Sequence, residues 1–163
     1  MRQPLPEPAT AHSLLERREK LRRAGKTIVL TNGCFDLLHP GHLFYLEKAA
    51  QLADELWVGV NSDESVQSLK GPLRPVAGER ERAYSLSCLA SVSEVFVFPN
   101  PRLTDEITLL KPDSYAKAGD YTLDSLNPEE RAALEAIGAS IHFIPFLEGF
   151  STTALIEKIK NAF

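Results

Sequence analysis

Residues 27–52 read TIVLTNGCFDLLHPGHLFYLEKAAQL, a short apolar run followed by a glycine-containing loop and a helical pattern. Residues 27–31 are rich in β-branched side chains and predict a strand, whereas residues 40–52 predict a helix that begins at Pro40. A second apolar run at residues 55–61 predicts the next strand. A strand, a helix and a second strand at this spacing predict a βαβ unit with two parallel strands.

The alternation of strands and helices continues to the end of the sequence. Further strands are expected at residues 94–99, 114–118 and 140–146, and a polar loop at residues 62–78. Ser13 and Glu16 have the spacing of a capping box for the first helix. The pattern predicts a single α/β domain at residues 13–163, Rossmann-like and doubly wound with a five-stranded parallel sheet, after a flexible, proline-containing lead-in at residues 1–12. The expected helices lie at residues 13–24, 40–52, 79–91, 104–111, 128–138 and 152–162.

The composition is that of a globular protein that binds neither nucleic acid nor membrane. The chain has 163 residues, of which 44% are hydrophobic and 25% charged, and its formal net charge is -4. A nucleic-acid-binding domain would show a basic excess, and no run approaches the roughly 18 apolar residues that a membrane helix needs. Cys34 and Cys88 are too few for a disulfide framework, so we expect a cytoplasmic protein.

His39 and His42 stand at the predicted start of the helix at residues 40–52. Because they are three residues apart, both imidazoles are expected on the same side of the first turn. That turn also presents unpaired N–H groups and the positive end of the helix dipole, which suit a phosphate and should lower the imidazole pKa values. Two simpler interpretations stay open: one histidine caps the helix and the other lies on the surface, or the pair shares a zinc ion.

A wider set of motifs resembles a known enzyme family. The loop GCFDLLHPGH at residues 33–42 resembles the signature of the cytidylyltransferase-like nucleotidyltransferase superfamily. Over residues 27–159 the resemblance is to one branch, which transfers AMP from ATP to D-glycero-β-D-manno-heptose 1-phosphate. Besides the first loop, the matching segments are GVNSD at residues 59–63, KGP at 70–72, RPV at 74–76, GDY at 119–121 and EGFSTT at 148–153.

The resemblance implies three groups of site residues. His39, His42 and Lys70 are expected to be catalytic, whereas the metal ligands are unknown. The residues expected to bind the second substrate are Asp36, Asn61, Arg82 and Tyr121. The residues expected to bind the nucleotide, besides the two histidines, are Thr31, Gly33, Cys34, Phe35, Gly41, Arg74, Gly119, Asp120, Phe150, Ser151, Thr152 and Thr153.

Without the resemblance, several of these residues have simpler explanations. Ser151 suits the N-cap of the last helix, and Gly119 with Asp120 suits a turn. Cations in the loop at residues 70–74 would be solvated. Asp36 has three open roles, as the acceptor for a loop amide, the partner of a histidine or a metal ligand.

The resemblance also implies a reaction and its partners. We expect ATP and heptose 1-phosphate as substrates and Mg²⁺ as the cofactor, with the sugar phosphate supplied by a separate sugar kinase, and a homodimer, as is common in the family. Ala118 replaces a glycine usual in this branch, whereas Phe146 stands where CDP-glycerol-forming relatives have an arginine. Two alternatives stay open: a CTP-dependent cytidylyltransferase acting on glycerol 3-phosphate or a related alcohol phosphate, and a non-catalytic ATP-binding module.

Overall fold

The computed structural model describes residues 4–119 and 121–162, and within them it contains a sheet of five parallel strands. The strands lie in the order β3-β2-β1-β4-β5, which confirms the predicted Rossmann-like, doubly wound α/β class. They are β1 (Ile28–Gly33), β2 (Glu55–Asn61), β3 (Glu94–Phe98), β4 (Ser114–Ala118) and β5 (Ser140–Ile144). The helices are α1 (Leu15–Arg23), α2 (Pro40–Ala50), α3 (Asp63–Lys70), α4 (Glu79–Ser87), α5 (Thr104–Leu110), α6 (Pro128–Ile137) and α7 (Thr152–Lys160).

Strand β1 lies at the centre of the sheet and is covered on both faces. Val29 of β1 is in register with Leu56 of β2 and with Ser114 of β4. One core layer contains Leu30 and packs residues of α1, α5 and α6 against the sheet. The opposite layer contains Val29 and packs residues of α2 and α4. Burial on both faces explains why the strands read as continuous apolar runs. No helix in the described ranges is long and apolar enough to cross a membrane.

Helix α3 lies where the sequence predicted a polar loop. The Ser65 N–H donates to Ser62 Oγ at 3.2 Å, so Ser62 caps the helix. Asp63 and Glu64 stand in the first turn, where carboxylates interact favourably with the helix dipole. Val66 is its one buried apolar residue, so the apolar pattern of the segment is short and the capping residues were the clearer signal.

The capping box predicted for the first helix is wrong. Ser13 lies inside a short 3₁₀ helix (His12–Leu14) and its hydroxyl donates to the Thr10 carbonyl at 2.8 Å. Glu16 forms an ion pair with Lys20 at 2.7 Å, one turn further along α1. The chain therefore enters α1 through a serine–threonine turn and a tighter helical turn.

The segment before α1, which the sequence predicts to be flexible, follows a defined path from residue 4. Ala9 forms a parallel bridge with Phe96 of β3, and the Val97 N–H donates to the Ala9 carbonyl at 2.9 Å. The Arg80 guanidinium of α4 donates to the Leu5 carbonyl. The segment therefore covers the edge of β3, whose backbone groups would otherwise face solvent.

Candidate active site

The carboxyl ends of β1 and β4 mark the point where the strand order reverses. From β1 the sheet continues through β2 and β3 on one side and through β4 and β5 on the other. Ligands of doubly wound sheets bind in the crevice outside this point. The loops at residues 34–39, 119–127 and 145–151 follow β1, β4 and β5, and they carry nine of the nineteen predicted site residues.

His39 and His42 form a stacked pair at the start of α2. Their ring centroids are 3.8 Å apart and their planes are inclined by 23°, which confirms the predicted common orientation. His39 is the N-cap residue, but its side chain makes no capping hydrogen bond. The His42 N–H donates to the His39 carbonyl at 2.9 Å, which holds both residues in one turn. The two imidazoles are therefore displayed together beside the helix N-terminus.

Both histidines are held in the neutral form near pH 7. Burial lowers the pKa of His39, and burial together with the neighbouring His39 lowers the pKa of His42 to about 4. The predicted direction is confirmed, but burial is its main cause rather than the helix end. The Nδ1 atom of each ring is buried without a hydrogen-bond partner among the described residues.

The Phe35 ring packs against the histidine pair. Its backbone is left-handed, with φ of 46°, and its ring meets His42 edge-on at 5.3 Å between centroids. A Cβ atom on Gly33 would stand 3.0 Å from the Phe35 ring, so Gly33 leaves the room that this ring needs. The Thr31 hydroxyl is buried in a hydrogen bond with the Tyr45 phenol at 2.6 Å. In these contacts the Phe35 and Thr31 side chains shape the site rather than face an open ligand space.

The N-terminus of α7 lies next to the N-terminus of α2. A Cβ atom on Gly41 would be 3.0 Å from the His39 ring and 3.3 Å from Phe150 Cβ, so Gly41 permits a close approach of the two segments. Ser151 caps α7, because its Oγ accepts the Ala154 N–H at 3.0 Å. Thr152 and Thr153 follow in the first turn of α7, where Thr153 is exposed and Thr152 half-buried. Two helix N-termini thus converge on one place, which suits a polyphosphate.

Asp36 holds the loop after α3 against the loop after β1. Its carboxylate accepts the Arg74 Nε–H at 2.5 Å and the backbone N–H groups of Val76 at 2.7 Å and Ala77 at 3.0 Å. Burial raises the pKa of this carboxyl, but the Ala77, Arg74 and Val76 hydrogen bonds outweigh it and the pKa is lowered. The sequence left three roles open for Asp36, and the structure shows one of them, that of an acceptor for loop amides.

Arg82 occupies the middle of a buried network. Its guanidinium donates to the carbonyls of Ala77 at 3.0 Å, Cys34 at 2.6 Å and Asn61 at 2.7 Å. It also pairs with Asp63 at 2.8 Å, and its side chain has no exposed surface. Arg82 therefore joins the loop after β1, the end of β2 and the loop before α4. Its predicted substrate contact stays a prediction, since the described geometry gives it a positioning role.

Asn61 and Cys34 are predicted contact residues that lie inside this framework. The Asn61 side chain is buried and donates to Ser65 Oγ at 2.9 Å and to the Asn100 carbonyl at 3.3 Å. Burial raises the pKa of the Cys34 thiol, while the charges of Lys70 and other nearby cations lower it only in part. The thiol is therefore protonated near pH 7 and is not poised as a nucleophile.

Lys70 ends α3 with an exposed side chain. Its charge is among those that lower the pKa of the Cys34 thiol in the loop after β1. Lys70 and Arg74 together bring positive charge to the side of this loop. Across residues 4–119 and 121–162, no three His, Cys, Asp or Glu side chains are grouped so as to hold a metal ion.

The residues that follow β4 form another side of the candidate site. Gly119 has φ of 109°, and a Cβ atom there would stand 2.5 Å from Phe146 Cε2, so the Phe146 ring lies directly against its backbone. Phe146 is 63% exposed and presents the rest of its ring to solvent. Tyr121 is 41% exposed. Asp120, a predicted nucleotide contact, lies outside the described residues.

Lys117 and Asn32 lie at the same strand ends, although neither was predicted as a site residue. Lys117 Nζ lies 3.3 Å from the Tyr115 hydroxyl, which in turn donates to Asn32 Oδ1 at 2.7 Å. Lys117 Nζ also lies over the Tyr121 ring, 5.7 Å from its centroid. A lysine two residues before a turn at a strand's carboxyl end was the available signal, but only Gly119, Asp120 and Tyr121 after it were predicted as site residues.

The comparisons with known proteins agree with this geometry. The family model for cytidylyltransferase-like proteins matches residues 30–158. Three curated relatives are each named bifunctional protein HldE. Those from Syntrophotalea carbinolica, Hyphomonas neptunium and Methylococcus capsulatus are 44%, 46% and 45% identical over 93%, 86% and 93% of this chain. The chain spans 30%, 28% and 32% of these relatives' own lengths.

A solved structure shares the fold over nearly its whole length. It is the crystal structure of a lipopolysaccharide core biosynthesis protein from Thermoplasma volcanium GSS1, with a TM-score of 0.61 and 26% sequence identity. The match covers 76% of this chain and 98% of that chain. The paired histidines lie at the reversal point of the sheet, and the family model extends from β1 into α7. The chain belongs to the cytidylyltransferase-like family of nucleotidyltransferases.

Proposed function

We propose that the chain transfers AMP from ATP to D-glycero-β-D-manno-heptose 1-phosphate, giving ADP-heptose and pyrophosphate. The observation that carries the proposal is the neutral, stacked pair of His39 and His42 where the N-termini of α2 and α7 converge. A nucleotide-binding module would need only the helix N-termini and their backbone groups. Two stacked, partly buried imidazoles suit a reaction in which negative charge develops.

The triphosphate end of the site is built from helix ends and cations. The first turns of α2 and α7 offer N–H groups, and Thr152 and Thr153 add hydroxyls beside them. Lys70 at the end of α3 and Arg74 in the loop after it would neutralise phosphate oxygens. Arg74 already forms an ion pair with Asp36, so its guanidinium is held near the site before a ligand binds.

Mg²⁺ is the cation that we propose for the reaction. The Asp36 carboxylate already accepts three hydrogen bonds, so the described residues fit a cation that takes most of its oxygen ligands from the phosphates. When bound, Mg²⁺ would supply neutralising charge on the nucleotide. The chain's own contribution is to orient the phosphates through its helix ends and the side chains of residues 70–74.

The transfer itself is an in-line displacement. An oxygen of the sugar 1-phosphate attacks the α-phosphorus of ATP, and the bond to the oxygen bridging the α- and β-phosphorus atoms breaks, releasing pyrophosphate. Nε2–H groups of His39 and His42 would stabilise the charge on the α-phosphate and on that bridging oxygen. Phosphoryl-type transfer depends mainly on positioning and charge stabilisation, which the fixed imidazole stack supplies.

The sugar substrate is proposed from the relatives. The lipopolysaccharide core biosynthesis protein of Thermoplasma volcanium, which shares the fold, supports a place in lipopolysaccharide core assembly. Phe146 supports the same choice, since an apolar ring lies where cytidylyltransferases of the glycerol branch have an arginine. The acceptor's phosphate must come from a phosphorylation of the sugar, so a sugar kinase is the upstream partner that we propose.

Pyrophosphate release from purified protein tests the proposal. ATP and CTP should each be combined with heptose 1-phosphate and with glycerol 3-phosphate, with Mg²⁺ present or absent. We expect release only with ATP, heptose 1-phosphate and Mg²⁺. Release with CTP and glycerol 3-phosphate would replace the proposal by the cytidylyltransferase alternative, and tight ATP binding without release from either acceptor would favour the binding module.

A homodimer is the assembly that we propose. No described residue of α7 is buried, and its apolar side chains include Ile159, which is 50% exposed. A second copy packed on α7 would remove this apolar surface from water. Light scattering during size-exclusion chromatography should give twice the mass of 18.0 kDa, and Ile159→Asp should give the monomer.

A further inference from the structure

A polar cluster lies at the carboxyl ends of β1 and β4, on the side of the sheet away from the histidine pair. Tyr115 belongs to the core layer of α1, α5 and α6, and Lys117 follows two residues later, so both side chains are on the same face of β4. Phe35, which supports His42, belongs to the opposite layer. The end of β1 therefore separates two groups of polar side chains, the histidines and the Lys117 cluster. The cluster comprises Asn32, Tyr115, Lys117, Tyr121 and Glu130.

The cluster is connected by specific contacts. The Tyr115 hydroxyl donates to Asn32 Oδ1 at 2.7 Å and accepts from Lys117 Nζ at 3.3 Å. Lys117 Nζ lies over the Tyr115 ring at 5.8 Å and over the Tyr121 ring at 5.7 Å from each centroid. The ammonium is thus held between two aromatic rings, which attract it electrostatically. These contacts fix the ammonium in one place beside the end of β4.

The charge of Lys117 is only partly compensated within the protein. Its side chain is 17% exposed, and Glu130 Oε2 is 3.8 Å from Nζ, longer than a hydrogen bond. Glu130 Oε1 accepts the Leu103 N–H at 3.0 Å, which fixes the carboxylate from α6. An ammonium has three donors, and among the described residues the Tyr115 hydroxyl is its one acceptor within hydrogen-bond distance. A mostly buried ammonium is costly unless further acceptors reach it, which points to a ligand.

The chemistry of the cluster fits a polyhydroxylated ligand. Asn32 offers its amide group, which the buried Tyr115 hydroxyl orients, Lys117 offers N–H donors, and Tyr121 offers a half-exposed apolar ring face. Hydroxyl groups of a sugar both donate and accept hydrogen bonds, and their carbon frame packs on aromatic rings. A nucleotide triphosphate would instead favour the helix N-termini and the cations of residues 70–74 across β1.

We propose that Lys117 is a specificity-determining residue that binds hydroxyl groups of the sugar in the acceptor substrate, with Glu130 as its positioning residue. The inference rests on the proposed function and deepens it, because it assigns the acceptor to the Lys117 side of β1 and the triphosphate to the histidine side. Lys117 donates to the sugar hydroxyls, and the Glu130 carboxylate keeps the ammonium between the two tyrosine rings.

Steady-state kinetics with each substrate varied separately test this assignment. Lys117→Met should raise KM for heptose 1-phosphate about 10- to 100-fold, as expected for lost charge-assisted hydrogen bonds, and leave KM for ATP within twofold. Lys117→Arg should recover part of the loss. Lys26→Met, an exposed lysine at the amino end of β1, is the matched control and should leave both KM values unchanged.

Glu130→Gln separates positioning from structural support. The amide oxygen can still accept the Leu103 N–H, while the negative charge near Lys117 is lost. KM for heptose 1-phosphate should rise about three- to tenfold, with the melting temperature near that of the wild type. A fall in melting temperature without a change in KM for the sugar phosphate would show a purely structural pair and overturn the proposal.

Two further outcomes would also overturn it. Lys117→Met could leave KM for heptose 1-phosphate unchanged, or it could raise KM for ATP by the same factor. Calorimetric binding of heptose 1-phosphate distinguishes this failure from failure of the proposed function. If the wild type releases no pyrophosphate, the proposed function fails, whereas binding lost in Lys117→Met still supports the sugar site. Equal binding by both proteins, or none by the wild type, contradicts the sugar site.

Discussion

The His42 ring lies between the His39 ring, stacked at 3.8 Å, and the Phe35 ring, edge-on at 5.3 Å. This arrangement excludes water from much of the His42 imidazole and puts a second titratable ring directly against it. Charging both rings would place two cations in contact. The stack therefore keeps two neutral N–H donors at the N-terminus of α2, where an approaching phosphate brings the negative charge.

Removing either imidazole should slow catalysis more than it disturbs the fold. We expect His39→Ala or His42→Ala to lower kcat for pyrophosphate release by about 10²–10⁴, the range for the loss of one electrostatic donor. His12→Ala, an exposed histidine in the 3₁₀ turn, is the matched control. Near-wild-type turnover in both active-site variants, with melting temperatures unchanged, would contradict the assigned role.

Acidification should destabilise the protein partly through His42. The folded-state pKa of His42 is about 4, below the usual 6.5, so the unfolded chain binds the proton more readily between these values. The stabilisation is complete above pH 6.5 and is lost as the pH falls through 4. Between pH 7 and pH 4 the free energy of unfolding in urea should therefore fall less in His42→Gln than in the wild type. We expect the difference between the two proteins to be about 1–3 kcal/mol, a range reduced because the ring is partly exposed.

An equal pH dependence in the two proteins would show that His42 titrates normally in the fold. His39→Gln provides the comparison, because burial also lowers the pKa of His39, but this ring is less deeply buried than that of His42. We therefore expect His39→Gln to change the pH dependence of the free energy of unfolding less than His42→Gln does.

Asp36 should be essential for the loop that carries Arg74. Asp36→Asn replaces one carboxylate oxygen by an NH₂ group, which cannot accept a hydrogen bond from Arg74 or from the Val76 N–H. We expect a loss of about 1–3 kcal/mol in the free energy of unfolding and faster proteolysis within residues 71–77. Urea unfolding and limited proteolysis measure the two effects.

The exposed Asp124 supplies the control for this substitution. Asp124→Asn breaks only a surface ion pair with Arg131 at 3.3 Å and should change stability by less than about 0.5 kcal/mol. If Asp36→Asn costs no more than Asp124→Asn, Asp36 does not hold the loop in solution.

Arg82 should be the most costly arginine of α4 to remove. Arg82→Met would leave the Asp63 carboxylate and the carbonyls of Cys34 and Asn61 without their donor, and we expect a loss of about 3–5 kcal/mol. Arg80→Met removes a half-exposed guanidinium that pairs with Glu7 and should cost about 1 kcal/mol or less. If urea unfolding gives equal losses of unfolding free energy for Arg82→Met and Arg80→Met, Arg82 does not hold the buried network together.

The parts of the fold that follow from local pattern were predictable. The strands are buried on both faces by helices, so their apolar runs are continuous, and the spacing between them indicated the βαβ order. The histidine pair was predictable for the same reason, because a three-residue spacing in a helical turn determines which side chains meet.

The network around the site depends on contacts that no local pattern contains. Asp36 and Arg74 are 38 residues apart in sequence, and Arg82 and Cys34 are 48 apart. A buried arginine with four acceptors and a solvated arginine near a phosphate look alike in the sequence. Lys117 was missed for a related reason, because its two aromatic neighbours and Glu130 reach it from a strand, a loop and a helix.

Because of the segment that carries Ala9, the two edge strands of the sheet, β3 and β5, differ in how many of their backbone groups are paired. Ala9 already occupies backbone groups at the outer edge of β3, whereas β5 pairs within the described residues only with β4. Two molecules that join by extending their sheets would therefore have to meet through β5. A growing row of chains needs two such edges on every molecule, so the paired Ala9 limits this form of self-association to a single contact between two copies.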